Sequence, residues 1–339
     1  MIEENIIIGE QIKKPIRWQL FAVAGLLIIA VASLLLFYFF FSAPDRSAKP
    51  EQFVVTINMK TDQALAKLET AGFVRSPWAL GVALRFYHWN GMIPSGSYDL
   101  SKAQSALVVA RVLTRAPHEV WVVIPEGLRK EEIAGILATA LGWTDAQKKE
   151  FITVDTNQNP DQFEGVYFPD TYLIPKDDSP QDASKKLYSH FQEKFAPSAA
   201  DAIQQNIKWT TALKVASLIQ REGKNADDMS VISSVIWNRL AKNMRLQIDA
   251  TVQYARGDVG NGWWAPVSKA DLQINSPYNT YLNAGLPPHP IANPGLTAIT
   301  AALHPADTKC LYYIHDSDSV IHCAETYPEQ QANIAKYLK

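Results

Sequence analysis

A glutamate at the end of an amphipathic helix is the residue of this chain best suited to chemistry. Four residues recur at helical spacing on what should be the apolar face of this helix: Val215, Leu218, Ile219 and Glu222. Apolar surroundings and the negative end of the helix dipole both disfavour a carboxylate, so the pKa of Glu222 should be raised. A carboxyl group that stays protonated near neutral pH can act as a general acid on a glycosidic bond. The alternative is a structural glutamate paired with Arg239 or Arg245.

The elements around Glu222 follow from periodicity and from helix-ending residues. Helices are predicted over four segments: residues 179–195, 198–206, 209–222 and 227–242. Gly223 suits the left-handed residue that commonly ends a helix, and Asp227 or Asp228 should cap the last of the four. The chain is rich in proline and glycine from Pro277 onward, up to a helix over residues 296–303. Long irregular segments of this kind are often functional sites.

Length and composition indicate a folded, nearly neutral protein. The chain has 339 residues, a formal net charge of −2 and 47% hydrophobic residues. These values exclude a disordered chain and a polybasic protein that binds nucleic acid. The sequence contains neither a paired histidine spacing such as HExxH nor a glycine-rich phosphate loop. We therefore predict no metal site and no cofactor.

Residues 20–41 (LFAVAGLLIIAVASLLLFYFFF) form an apolar segment without a charged residue. As a helix it would be about 33 Å long, enough to cross the roughly 30 Å hydrocarbon core of a bilayer. The alternative is a cleaved signal peptide, whose apolar core is about 7–15 residues long and ends in small residues. This segment is longer and ends in aromatic residues, so we expect an uncleaved, single-pass anchor in the cell (inner) membrane.

The charges flanking the anchor favour one orientation. Three basic residues precede it and two follow it: Lys13, Lys14, Arg17, Arg46 and Lys49. This bias predicts a cytoplasmic tail over residues 1–19, with the remaining chain in the periplasm or outside the cell. Residues 42–52 are polar and contain proline, which predicts a linker clear of the membrane.

The exported part is long enough for two domains. Residues 53–150 alternate short strands with helices, which predicts a small α+β module. Residues 160–339 would form a larger, mixed α/β domain, and the polar stretch between them is the predicted boundary. The fold class is therefore α+β, preceded by a transmembrane helix.

Both cysteines of the chain lie near its end, in the segment CLYYIHDSDSVIHC. The segment is typical of a β-hairpin, with a turn that would place Cys310 and Cys323 directly opposite each other. A disulfide is therefore geometrically possible in an oxidising compartment, and two buried thiols are the alternative.

Five segments, taken in order, resemble one protein family. They are FEGVYFPDTY (163–172), ASLIQRE (216–222), WNRL with MRLQIDATV (237–252), YNTY with GLPPHPIANPG (278–295) and ALHPA (302–306). Their order and spacing resemble the endolytic murein transglycosylase (YceG-like) family over nearly the whole exported chain. The resemblance implies a membrane-anchored enzyme with a LysM-like module at residues 53–150 and a catalytic domain at residues 160–339. It also implies a partner in the cell-wall synthesis machinery.

By this resemblance, Glu222 stands where the family has its catalytic glutamate. The implied reaction cleaves the MurNAc–GlcNAc linkage of nascent peptidoglycan strands without water and leaves a 1,6-anhydro-MurNAc end. One carboxylate suffices for it, because the nucleophile belongs to the sugar itself. A hydrolytic muramidase would need a second carboxylate about 5–9.5 Å away. The sequence leaves that reading open, with three candidates: Asp249, Glu164 and Asp170.

Other motif residues carry groups that suit sugar recognition. We predict six substrate-binding residues: Glu164, Gln247, Asp249, Tyr278, Asn279 and Thr280. Trp263 and Trp264 are either a sugar-stacking platform or partly buried core residues. Three positions depart from the family's usual residues: Gln220 replaces an acid, Ala250 replaces a proline and His289 replaces a glycine. A further alternative is a murein-binding assembly protein that catalyses no reaction.

Overall fold

The computed structural model describes residues 16–87, 91–155 and 164–338. The chain divides into two compact units, residues 1–118 and residues 119–339. The sequence placed the boundary after residue 150, in a stretch that lies partly outside the described residues. The division comes earlier because strand Glu119–Val123 pairs with strand Thr171–Pro175, and helix Lys130–Leu141 shares an apolar core with both.

The first unit places helices against an antiparallel strand pair. Its elements are α1 (Ile16–Phe41), β1 (Pro50–Val55), α2 (Thr61–Thr70), α3 (Pro77–Phe86), β2 (Gly96–Ser101) and α4 (Ala106–Leu113). Phe53 of β1 lies opposite Tyr98 of β2, and both side chains are buried in one core with residues of α2, α3 and α4. This core gives the unit a hydrophobic interior of its own.

Helix α1 is the one helix among the described residues that is long and apolar enough to cross a membrane. Its span, Leu20–Phe41, has a mean hydropathy of 2.9, which is consistent with a single-pass anchor. Phe41, at its end, is only 5% exposed and belongs to the core of the first unit.

The segment after α1, where a linker is predicted, is hydrogen-bonded to the first unit. Arg75 donates a hydrogen bond to the carbonyl oxygen of Ala43 at 3.2 Å, and the Ser101 hydroxyl donates to that of Ala48 at 2.9 Å. Strand β1 follows at once. The polar composition of the segment carries no sign that Phe41, just before it, is buried in the folded unit.

The second unit combines an antiparallel strand pair, a set of packed helices and a terminal hairpin. Its elements are β3 (Glu119–Val123), α5 (Lys130–Leu141), α6 (Asp145–Glu150), β4 (Thr171–Pro175), α7 (Pro180–Gln204), α8 (Trp209–Glu222), α9 (Ala226–Ala241), α10 (Asp249–Arg256), α11 (Leu296–Leu303), β5 (Tyr312–His315), β6 (Ile321–Ala324) and α12 (Tyr327–Tyr337). A π-helical turn at Phe151–Asp155 and a 3₁₀ turn at Asp271–Gln273 complete it.

Helix α8 lies in the largest buried apolar cluster among the described residues of this unit. Its predicted bounds are confirmed, and all but one of the residues from Ala212 to Ile219 are buried, packed against α9 and α11. Burying each leucine or isoleucine contributes about 1.5–3 kcal/mol. This packing fixes the rotation of α8 and therefore the direction of Glu222.

Gly223 ends α8 for a different reason from the one predicted. Its φ of −79° and ψ of 144° are extended, not left-handed. A Cβ atom at this position would lie 2.5 Å from Cγ of Met229, so close packing requires glycine here. Helix α9 then begins with Asn225 as its cap, which accepts a hydrogen bond from the Asp228 amide at 3.0 Å, rather than with the predicted aspartates.

Helix α7 is continuous where two helices were predicted. Pro197 lies inside it, although proline removes a backbone hydrogen bond and costs about 3 kcal/mol in a helix interior. Buried side chains lie on both sides of Pro197, with Phe191 and Phe195 before it and Ala202 after it. Continuous burial along one face explains why the helix is not broken.

The terminal hairpin pairs β5 with β6, and a disulfide joins Cys310 to Cys323, with their Cα atoms 5.8 Å apart. The predicted turn would have placed the two cysteines directly opposite each other, and the structure does not. Cys323 lies opposite Tyr313, because the turn is centred further along the chain, where Ser319 has a φ of 65° and the Asp316 amide bonds Val320.

Candidate functional site

A polar cleft of about 420 Å³ opens beside the end of α8 in the second unit. Its lining comes from α8, α9, the α9–α10 loop, α10, the segment after α10, the hairpin and α12. Six of its residues carry the polar groups that matter most: Glu222, Arg239, Gln247, Asp249, Tyr281 and Tyr313. Carboxylates, amides and phenols at the wall of one cleft suit a ligand rich in hydroxyl and amide groups.

Glu222 reaches this cleft from the last turn of α8. It follows Leu218 and Ile219 on the same helix face, so the turn that buries those residues also directs its side chain inward. The residue is half-buried, and its Oε2 accepts a hydrogen bond from the Tyr313 hydroxyl at 2.7 Å. The alternative reading, a structural pairing with Arg239 or Arg245, is not what holds Glu222.

The surroundings of Glu222 favour its protonated form. Burial raises the pKa of this carboxyl group, and it is the largest of the influences on the pKa. The hydrogen bond from Tyr313 lowers the pKa, the negative charge of Asp249 raises it, and the positive charge of Arg221 lowers it. The net effect is a pKa above the ordinary glutamate value, as an acid catalyst requires.

Tyr313 holds its proton firmly. Burial and the neighbouring Glu222 carboxylate raise the pKa of its phenol well above the usual value, so it remains a donor. Gln330 of α12 donates to the backbone carbonyl of Tyr313 at 3.1 Å. Cys323, which lies opposite Tyr313 in the hairpin, is held by the disulfide. Both contacts fix the strand that carries this donor.

Asp249 is the second carboxylate of the cleft. It is exposed, begins α10 and accepts a hydrogen bond from the Tyr281 hydroxyl at 2.6 Å. Each cleft carboxylate is therefore paired with a tyrosine, and neither tyrosine was among the predicted site residues. Tyr281 lies within the YNTY motif, a signal that was available; no local pattern marks Tyr313.

Arg239 fastens the two sides of the cleft together. Its guanidinium donates at 2.6 Å to the carbonyl oxygen of Leu311, before β5, and at 2.6 Å to that of Leu246. The next residue, Gln247, lines the cleft with a φ of 52°, a left-handed conformation that is uncommon for glutamine. The amide of Gln247 donates to the carbonyl of Thr280 at 3.2 Å, which helps to hold this backbone. Arg239 is thus bound to backbone carbonyls, not paired with a glutamate as predicted.

Glu164 lies elsewhere, in a buried polar cluster. It is 3% exposed, and its Oε1 accepts hydrogen bonds from the Lys130 amide at 3.0 Å and from Asn293 Nδ2 at 2.8 Å. Burial, with a smaller contribution from the charge of Glu131, raises its pKa to about 8. It does not line the cleft, so the structure does not bring it together with Glu222.

Three other predicted binding residues, Tyr278, Asn279 and Thr280, lie outside the cleft lining and contact residues near it. Asn279 and Thr280 are buried, and Asn279 Nδ2 donates to the carbonyls of Leu272 and Ile274 at 3.0 and 2.9 Å. The Thr280 hydroxyl accepts from the Ile248 amide at 3.0 Å, one residue before Asp249. Tyr278 packs its ring on Tyr254, with the centroids 4.8 Å apart. None of the three lines the cleft.

The paired tryptophans are tied to arginines. The guanidinium of Arg221 lies 3.7 Å from the centroid of Trp264, whose indole donates to Glu132 at 3.0 Å. The guanidinium of Arg129 lies 4.2 Å from the centroid of Trp263. The arginine contacts explain why both indoles are half-buried, and neither lines the cleft.

The proline-rich segment before α11 is bound to α8. The Ile291 amide donates to the Ser217 hydroxyl at 3.1 Å, and the Gly295 amide donates to the side chain of Gln220 at 2.9 Å. Gln220 is therefore a structural acceptor. His289 is outside the set of non-glycine residues with positive φ, so its backbone does not require a glycine there.

Of the three candidate second carboxylates, the structure places only Asp249 in the cleft. Asp170 instead accepts a hydrogen bond from His190 at 2.8 Å. Within the described residues there is also no group of three or more histidine, cysteine, aspartate or glutamate residues able to hold a metal ion. Any chemistry in this cleft that uses protein carboxylates therefore falls to Glu222 and Asp249.

Comparisons with known proteins agree with the sequence resemblance. The endolytic murein transglycosylase of Bacillus subtilis (strain 168) is 29% identical over 318 residues, 86% of this chain and 86% of that protein. A protein of the same name from Streptococcus pneumoniae serotype 2 is 25% identical over 305 residues, 80% of this chain and 55% of that protein.

A crystal structure of a YceG-like protein from Listeria monocytogenes has the same fold, with a TM-score of 0.56. It is 26% identical and covers 84% of this chain and 99% of that chain. The model of the YceG-like family matches residues 53–336, and we conclude that this chain belongs to that family.

Proposed function

We propose that this chain is a membrane-anchored lytic transglycosylase that cleaves MurNAc–GlcNAc linkages within nascent peptidoglycan strands. The observation that carries the proposal is Glu222, a carboxyl group with a raised pKa at the wall of a polar cleft, in a chain whose relatives are named endolytic murein transglycosylases. Neither the family nor the cleft alone would identify the acid; together they favour Glu222.

Protonated Glu222 first donates its proton to the glycosidic oxygen as the bond from C1 of MurNAc to O4 of GlcNAc breaks. The 6-hydroxyl oxygen of the same MurNAc then bonds to C1, and its proton passes to the Glu222 carboxylate. The products are a GlcNAc 4-hydroxyl and a 1,6-anhydro-MurNAc end, and no water is consumed. Tyr313 stabilises the carboxylate between the two steps, because its hydroxyl donates to Oε2.

Asp249 and Gln247 remain proposed binding residues, since both line the cleft. Asp249 also supports a second candidate function, a hydrolytic muramidase, in which its carboxylate would activate water or attack C1. The products distinguish the two reactions, because hydrolysis adds one water to the new MurNAc end.

The remaining parts of the proposal concern the location of the chain and its partners. Helix α1 would anchor it in the cell membrane, with residues 1–19 cytoplasmic and both units in the periplasm or outside. The first unit has its own apolar core, as a separate LysM-like glycan-binding module requires. The cell-wall synthesis machinery is the proposed protein partner, on the family resemblance.

The test uses the full chain in detergent, purified murein and mass spectrometry of the new sugar ends. Glu222→Gln is compared with the wild type, and Glu164→Gln is the matched control, because it makes the same change at another glutamate whose pKa is raised by burial. We expect anhydro-MurNAc ends from the wild type and the control, and none from Glu222→Gln.

Two other outcomes would each replace the proposal. Ordinary reducing ends would make the chain a hydrolase and direct attention to Asp249. No new ends from folded wild-type protein, combined with sedimentation of the protein with murein, would favour a binding protein that catalyses no reaction.

A further inference from the structure

The outer face of α3, in the first unit, is apolar and exposed. The helix buries Ala79, Leu80, Ala83 and Leu84, so helical spacing places Trp78, Val82 and Arg85 on the opposite side. Trp78 is 68% exposed, and Arg85 is the one charged residue among the ten residues of the helix. A helix face turned to water normally carries polar residues, so this face is suited to an apolar or amphipathic environment.

A groove of about 350 Å³ runs along this face, between α2 and α3. Leu65 and Ala66 line it from α2, and Trp78 and Val82 line it from α3. Arg85 is the basic residue of the groove. Asp62 is the acidic residue of its lining, so the groove combines an apolar surface with one cation and one carboxylate. This combination suits zwitterionic phospholipid headgroups and the adjoining acyl chains.

The position of the groove follows from the end of α1. The ring of Trp78 makes an edge-to-face contact with Phe41, the last residue of the apolar span, with the centroids 6.4 Å apart. Phe41 is buried in the core of the same unit. Trp78 must therefore lie at the level where α1 leaves the bilayer, since α1 is held in the unit by packing.

Residues around this point have the composition of a membrane interface. The Arg75 guanidinium lies 5.1 Å from the ring centroid of Phe39, and Arg46 contacts the hydroxyl of Tyr38. Tryptophan and tyrosine concentrate at the headgroup level of membrane proteins, and arginine side chains extend toward that level. The contacts of Arg75 and Arg46 thus continue the aromatic and basic character of the α3 face.

We infer that the outer face of α3 is a second membrane contact, lying in the headgroup region of the bilayer with Trp78 at the acyl boundary. This inference rests on the proposed anchoring by α1. It assigns the first unit a surface that binds phospholipid and so fixes the unit against the membrane.

The test is fluorescence quenching of the full chain in vesicles of phosphatidylethanolamine and phosphatidylglycerol. The lipids carry bromine either near the headgroup or near the bilayer centre. Trp78→Phe is compared with the wild type, and Trp143→Phe is the matched control, because the Trp143 indole packs on Phe151 and donates to Asp178. Trp18, exposed just before the apolar span, is quenched in every variant. We expect Trp78→Phe to lose part of the quenching by the headgroup-proximal bromine, and Trp143→Phe to retain all of it.

Extraction with alkaline carbonate separates failure of the anchor from failure of this inference. Release of the wild type from the vesicles would overturn both. Retention with equal quenching in the wild type and in folded Trp78→Phe would overturn only the α3 contact. A third outcome combines equal bromine quenching in the two proteins with a fluorescence change on adding soluble murein fragments. If that change is seen in the wild type and lost in Trp78→Phe, the α3 groove binds a glycan and not phospholipid.

Discussion

Two glutamates of the second unit, Glu222 and Glu164, both have a raised pKa but lie in different surroundings. Burial raises the pKa of both Glu222 and Glu164. Glu164 bonds a backbone amide and the side chain of Asn293, whereas Glu222 bonds the Tyr313 hydroxyl and lines an open cleft. A raised pKa is thus common to both groups, and only Glu222 also lines a cleft that a substrate could enter, as an acid catalyst must.

The largest expected effect is on the activity of Glu222→Gln. An amide cannot give up a proton to the leaving oxygen, so formation of anhydro ends should fall by about 10³-fold or more. Thermal unfolding should show a folded protein. Comparable activity in Glu222→Gln and Glu164→Gln would contradict the assignment of different roles to the two glutamates.

The raised pKa of Glu164 should make the free energy of unfolding depend on pH. Its pKa is near 4.5 in the unfolded chain and about 8 in the folded one, so between these values the folded state binds the extra proton. Its contribution to stability is therefore lost as pH rises through this window, by up to about 1.4 kcal/mol per pH unit. Urea unfolding at pH 5 and pH 7 should show the wild type losing about 2–3 kcal/mol more than Glu164→Gln. Parallel losses would refute a raised pKa of Glu164.

Asp249→Asn should shift the pH dependence of activity toward acid. The charge of Asp249 raises the pKa of Glu222, so its removal lowers that pKa, and Glu222 would lose its proton at lower pH. We expect about a tenfold loss of rate at neutral pH, smaller than for Glu222→Gln. Rates measured across the alkaline limb test this, and a loss equal to that of Glu222→Gln would point to hydrolysis through two carboxylates.

Tyr313→Phe should have the smallest effect, with the opposite sign. Its hydroxyl stabilises the carboxylate and lowers the pKa of Glu222, so without it the alkaline limb should move to higher pH. The rate at its optimum should fall about threefold, since one hydrogen bond to the carboxylate is lost. A shift in the same direction as Asp249→Asn would contradict the electrostatic account of the cleft.

The spacing of apolar residues predicted the helices whose bounds depend on that spacing alone. The bounds of α8 and α11 follow from apolar spacing, and so does the inward direction of Glu222. Gly223 was correctly placed at the end of α8 but for the wrong reason. A side chain is excluded there by close packing against Met229 on the next helix. The same holds for Phe41, whose burial depends on a unit formed by residues further along the chain.

The sequence by itself determined an apolar span, a helix that ends in a glutamate, and membership of the YceG-like family. Only the tertiary structure decided which groups meet that glutamate. Asp249 and Tyr313 share its cleft, whereas Glu164 and Asp170 lie elsewhere. The physical reason is that periodicity fixes the direction of a side chain on its own helix. Its neighbours depend on how distant helices and the terminal hairpin pack together.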